Sequence, residues 1–230
     1  MVHFSFNSFL KKHNIKLSPE AKKFCLRGLQ RMSKSIDPLH DHLHVICLLQ
    51  NLGELLRHEN TLAREHVDLD VLLISIMWHD IWKAGKFPKG ALSLLWQQAY
   101  EGRGSAKIVA AEMKKAGFSK QIIKKVAYAI RQHAIIHKEH KTIESKLLAD
   151  VDQLGRWNIA RIKQAGKKLF AGKTNLNLVK VGEWYAKHFM VNAKPSKLYF
   201  NWSKLKFPSL KKRWMSVARK SLSKILNHKP

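Results

Sequence analysis

The sequence predicts an all-α protein. Apolar residues recur at helical spacing along most of the 230 residues, and only 11 Gly and 6 Pro punctuate the chain, few for the turns of a many-stranded sheet. Hydroxyl or carboxylate residues also stand just before several of the apolar runs, where helix caps belong. A hydrophobic share of 45% with 26% charged residues excludes wholesale disorder.

The elements follow in order. Ser18-Pro19-Glu20 is a helix start, with a hydroxyl cap, a proline in the first turn and an acid that the helix dipole favours. That helix runs to about Met32 and buries Cys25, Leu26, Leu29 and Met32. After the break at Ser35-Ile36-Asp37-Pro38, a second helix covers roughly His40 to Arg57, with Leu43, Ile46, Cys47, Leu49, Leu52 and Leu56 inward. Asp68 or Asp70 caps a third, whose run from Val71 to Trp78 is apolar on nearly every side and belongs at the centre of the core, ending at His79-Asp80. A Gly/Pro/Lys loop follows from Ala84 to Gly90. A helix is expected from Ser105 to Ala116, closed by Gly117, and another, capped by Ser119, from Lys120 to about His133. The next spans Ile143 to Leu154 and is expected to continue past Gly155 through Arg161 and Leu169. Residues 175–191 read as one more packed helix.

This divides the chain into an N-terminal segment (1–17), a helical core (18–172), a packed helical extension (173–193) and a basic, aromatic-rich tail (194–230). The tail sets Tyr199, Phe200, Trp202, Phe207 and Trp214 among many lysines. It docks either on the body, through Leu210, Trp214, Val217, Leu222 and Ile225, or on a polyanion, by stacking and charge. The whole chain carries 43 Lys+Arg against 16 Asp+Glu, a formal charge of +27 that favours phosphates, nucleic acid or an acidic membrane surface as partners. Two cysteines, Cys25 and Cys47, make no disulfide framework and read as reduced core thiols. With no long apolar span and no leader-like start, a soluble cytoplasmic protein is expected.

Chemistry concentrates in a few histidines and acids. His79-Asp80 closes the most buried helix, where an unpaired imidazole and carboxylate would cost several kcal/mol, and a divalent cation offsets that cost well. Upstream, His40 and His44 lie one turn apart. Downstream, Asp150 and Asp152 stand in an otherwise apolar helix. A histidine, the His-Asp pair and a late helical aspartate make a four-ligand set. Lys83, one turn past the pair, suits a phosphate as a point charge.

With these residues in view, the chain resembles the HD-domain metal-dependent phosphohydrolase superfamily. The resemblance covers about half the sequence, Asp37 to Trp157. It is carried by HDHLHV (40–45), HDIWK (79–83), GRGSAKIVAAEM (102–113), AIRQH (129–133) and LADVDQL (148–154). It implies an HD-type helical bundle in which His44, His79, Asp80 and Asp152 hold the metal, with Asp150 the competitor for the fourth place. Binuclear members carry a further histidine where Arg103 stands here, so the resemblance implies one divalent ion, with Arg103 left to hold substrate phosphate. It also implies that His133 lines the pocket.

Two functions are therefore expected to compete. In the first, a metal-activated water hydrolyses a nucleotide or other small phosphate ester, with Lys83, Arg103 and His133 assisting. In the second, a basic helical module binds nucleic acid or an anionic membrane and the metal site is structural or degenerate. An HD-type di-iron oxygenase is disfavoured by Arg103.

Overall fold

The computed structural model describes residues 4–37, 39–59, 67–85, 91–133, 140–159 and 197–227. These residues form eight helices and no strand: α1 Phe6–Lys12, α2 Pro19–Ser33, α3 His42–His58, α4 Leu69–Trp78, α5 Ala91–Lys115, α6 Lys120–Gln132, α7 Ile143–Arg156 and α8 Asn201–Asn227. The expected loop after Gly85, the continuation through Arg161 and Leu169, and the 173–193 extension lie outside the described residues.

Side-chain caps set most helix starts. Ser18, Ser119 and Thr142 each accept a hydrogen bond from the backbone N–H three residues on, and Asp68 does the same for α4. Asp70, the alternative cap, instead accepts from the Ser18 N–H at 3.1 Å and ties the start of α2 to α4. The helix expected from His40 begins at His42, because the Asp41 carboxylate accepts from the Leu43 and His44 N–H groups and takes the cap position. His40 therefore lies outside α3.

Every residue of α4 from Val71 to Trp78 is buried, as its all-round apolar sequence requires. α4 packs against α2, α3, α6 and α7. Trp78 lies flat on Phe24, with centroids 4.6 Å apart, and its indole N–H donates to the Phe24 carbonyl at 3.1 Å. A Cβ at Gly28 would stand 2.5 Å from that indole nitrogen, so only glycine admits the ring. The first segment is not separate from the body: Phe6, Phe9, Leu10 and Ile15 belong to the main core.

Two boundaries differ from expectation. α5 starts at Ala91, well before Ser105, and runs through Gly102 and Gly104. Glycine in a helix costs about 1 kcal/mol relative to alanine. Here Gly104 makes room for Trp82, whose ring a Cβ would meet at 2.4 Å, and packing overrides propensity. α7 stops at Arg156. Trp157 leaves the helix and turns its ring onto Phe207 and Trp214 of α8, with centroids 5.4 and 5.5 Å away.

α8 thus docks on the body. Leu198, Phe207 and Trp214 form a small second core with Leu154 and Trp157. Asp150, buried in α7, accepts from the Tyr199 N–H at 3.0 Å and the Phe200 N–H at 3.0 Å at the entrance to α8. Of the residues expected to dock the tail, Trp214 is buried and Leu210 and Val217 half-buried, while the side chains of Leu222 and Ile225 lie outside the described set. Lys204, Lys206, Lys212 and Arg213 remain exposed. Among the described residues no helix is long and apolar enough to cross a membrane.

Gly104→Ala is expected to destabilise the protein by about 1–3 kcal/mol, even though alanine is the better helix former, because Trp82 has to move. Urea titration of both proteins measures this, and equal or higher stability would mean that Trp82 is not held against α5.

Candidate metal centre

Three helices converge on one buried point. α3 supplies His44 from its first turn, set by the Asp41 cap. The end of α4 supplies His79 and Asp80, and α7 supplies Asp152. All four residues are at most 3% exposed. His79 Nδ1 donates to the Ile76 carbonyl at 2.9 Å, which turns the Nε2 lone pair inward.

The donor atoms sit close together. His79 Nε2 is 3.0 Å from Asp80 Oδ2 and 3.1 Å from His44 Nε2. His44 Nε2 is 3.3 Å from Asp80 Oδ2 and 3.2 Å from Asp152 Oδ1. His79 Nε2 and Asp152 Oδ1 are 3.9 Å apart. Nitrogen and oxygen donors bound to one ion at about 2.0–2.2 Å stand about 3.0 Å apart at right angles and about 3.5 Å apart in a tetrahedron. Four of these five edges, at 3.0–3.3 Å, fit that spacing, and the His79–Asp152 edge, at 3.9 Å, is longer. Two carboxylates and two imidazoles in this space require positive charge among them, and the cluster has the donors and dimensions to hold a metal ion.

Electrostatics agree. Burial raises the Asp80 carboxyl, but His79, Lys83, His40 and His133 overcome this and hold it well below the usual carboxylate range. Burial likewise raises Asp152, and Arg156, His44 and His79 pull it well below. Burial lowers the His79 imidazole, whereas Asp80 and Asp152 raise it above its ordinary value. The pocket attracts cations, whether protons or a metal. Arg156 donates to Asp152 Oδ2 at 2.7 Å and fixes which oxygen faces the histidines.

Further residues stand around Asp80. His133 is buried, its Nδ1 donates to the Ile130 carbonyl, and its Nε2 is 3.6 Å from Asp80 Oδ1. The donors group as two overlapping triads, His44–His79–Asp152 and His79–Asp80–His133, which share His79. The Lys83 ammonium, 3.8 Å from Asp80 Oδ1, pairs with Glu101 and donates to His40 Nε2 at 3.2 Å. Burial lowers Lys83, but Glu101 and Asp80 raise it above its usual value, so the ammonium persists. His40 Nδ1 in turn donates to Asp37 Oδ2 at 2.6 Å.

Two expectations separate here. Asp150 stays out of the cluster, since its carboxylate caps α8, and burial pushes it up to about 6 against the pull of the Phe200 and Tyr199 N–H groups. Arg103 is exposed. It follows Glu101 by two residues, about 200° around α5, and so turns away from the Lys83–Glu101 pair. Glu101 takes the place near the cluster that Arg103 was expected to have. Glu101, Asp37 and Arg156 were not singled out in the sequence. The only sequence signal for Glu101 was an acid on the inward stripe Gln97, Glu101, Gly104 and Ser105, which appears once α5 is extended back to Ala91.

Comparison with protein-family models, with curated proteins and with solved structures gives no match. The reading of the site therefore rests on its geometry.

Asp152→Ala and His79→Ala are each expected to lose bound divalent metal. Asp150→Ala should keep its metal while losing about 1 kcal/mol or more of stability through the uncapped start of α8. Elemental analysis of the purified variants, alongside urea titration, distinguishes the two aspartates. Metal loss in Asp150→Ala with retention in Asp152→Ala would reverse the assignment.

Proposed function

We propose that the chain is a metal-dependent phosphohydrolase of the HD type, acting on a nucleotide or another small phosphate ester through one divalent ion. The observation that carries this reading is the convergence of His44, His79, Asp80 and Asp152 beside a buried ammonium, Lys83. Mixed nitrogen and oxygen donors suit Mn, Fe, Co, Ni or Zn, and magnesium is compatible with the carboxylates. A bound ion supplies Lewis acidity and a water of lowered pKa.

The chain's own residues account for the remainder. An ammonium has three donors. Lys83 gives one to Glu101 and one to His40, which leaves one for a phosphoryl oxygen. Glu101 and the Asp37–His40 pair keep that ammonium in place when substrate leaves. His133, its Nδ1 held by the Ile130 carbonyl and its Nε2 3.6 Å from Asp80 Oδ1, is placed to exchange a proton with the reacting groups. The single-ion reading is supported by Lys83 itself, whose positive charge stands next to Asp80 Oδ1, where a second cation would have to bind.

A second reading keeps the metal site structural and gives the protein a polyanion-binding role. The exposed Lys204, Lys206, Lys212 and Arg213 of α8 favour it. Truncation after residue 196 separates the contributions. It is expected to lower the melting temperature by several degrees, because Leu154 and Trp157 lose their cover. Its effect on retention of anionic polymers at low salt measures the charge.

Lys83→Met alone should be destabilising by about 3–5 kcal/mol, since Glu101 is left charged and buried. The double variant Lys83→Met/Glu101→Gln should recover most of that stability and retain metal, yet hydrolyse a panel of phosphate esters at least ten-fold more slowly than the wild type. Wild-type rates in the double variant would remove Lys83 from the reaction. A metal-loaded wild type inactive on the whole panel would overturn the enzyme reading.

A further inference from the structure

α5 carries a second feature, on a face that the metal centre does not use. Trp96, Tyr100, Arg103 and Lys107 follow one another at spacings of four, three and four, within about 60° of each other around the helix. Trp96 is 60% exposed, and Arg103 and Lys107 are exposed as well. The Trp96 and Tyr100 rings are stacked, with centroids 5.2 Å apart and planes 5° from parallel. Trp82 braces them from the side, its centroid 5.8 Å from Trp96 and 5.5 Å from Tyr100. Beside the stripe lies an open depression of about 500 Å³ lined by residues including Trp82, Tyr100, Gly104 and Lys107.

We propose that the Trp96–Tyr100–Arg103–Lys107 stripe is a binding surface for single-stranded nucleic acid, with a base stacked on Trp96 and the backbone phosphates held by Arg103 and Lys107. A large aromatic ring held parallel to its neighbour, with more than half its surface in solvent, is a rigid platform that a base can extend at little conformational cost. The next two side chains along the same face are cations, which complements a phosphate backbone and does not complement an apolar partner helix. Length favours a strand over a mononucleotide. At 1.5 Å per residue, Lys107 lies about 16 Å along the axis from Trp96, the length of about four or five stacked nucleotides. Arg103, turned away from the metal cluster, has an anion to hold here. Stripe and metal centre share chain segments, since Tyr100 precedes Glu101 and Trp82 precedes Lys83. The inference nevertheless stands without the hydrolase reading.

The test is anisotropy of a fluorescein-labelled oligo(dT) of about twelve nucleotides with the full chain in EDTA, so that neither metal nor hydrolysis enters. The wild type should bind, and Trp96→Leu should weaken binding about five-fold or more while Trp96→Phe stays within about two-fold, because stacking needs a ring and not merely apolar area. Arg103→Ala and Lys107→Ala should each reduce the slope of log affinity against log salt by about 0.7. The three substituted side chains are exposed, and unchanged helical circular dichroism confirms the fold of each variant. Binding of the oligonucleotide by Trp96→Leu as tightly as by the wild type would overturn the proposal. So would full competition by equimolar dTMP, or binding of anionic phosphatidylserine vesicles that falls with Trp96→Leu while strand binding does not.

Discussion

Two carboxylates, Asp80 and Asp152, are buried among His44 and His79, and much of the surrounding structure serves to match their charge. Each buried charge costs several kcal/mol unless it is matched. The matching groups come from several elements. His44 is oriented by the Asp41 cap, His79 by the Ile76 carbonyl, and Arg156 holds one oxygen of Asp152. Lys83, itself charged because Glu101 faces it, stands beside the other oxygen of Asp80. Loss of any one of these groups leaves another uncompensated, so α3, α4, α5 and α7 are tied to one another by charge as well as by packing.

The apolar run of α4 makes this possible. Each fully buried Leu, Ile, Val or Met contributes about 1.5–3 kcal/mol, so the stretch from Val71 to Trp78 more than offsets the cost of the polar end that follows it. The chemistry then sits where the apolar helix stops, at His79 and Asp80. α8 closes the opposite side of α7 through Asp150, Leu154 and Trp157, so the two aspartates of one helix serve different ends. One faces the histidines, and the other holds a helix entrance.

Much of this was legible in the amino-acid sequence. Hydroxyl and carboxylate caps announced α2, α4 and α6, and the all-apolar run announced the central helix. Histidine and aspartate embedded in apolar helices announced the cluster. What escaped was set by contacts between distant segments. Nothing local says that Gly104 is there for Trp82, so the glycines of α5 read as a boundary. Trp157 ends α7 because α8 offers it an apolar seat, a preference absent from the local pattern. The inward direction of Glu101 and outward direction of Arg103 depend on the phase of α5, which follows only from its true length. The choice between Asp150 and Asp152 likewise depends on which neighbour each one meets.

We propose that His44, His79, Asp80 and Asp152 together hold a single divalent ion. Anomalous diffraction at the manganese edge, from crystals of the full chain grown with Mn²⁺, locates it. One strong peak is expected at about 2.0–2.3 Å from His44 Nε2, His79 Nε2, Asp80 Oδ2 and Asp152 Oδ1. No peak among these four atoms, or a second peak of equal strength between Asp80 Oδ1 and His133 with Lys83 displaced, would contradict it.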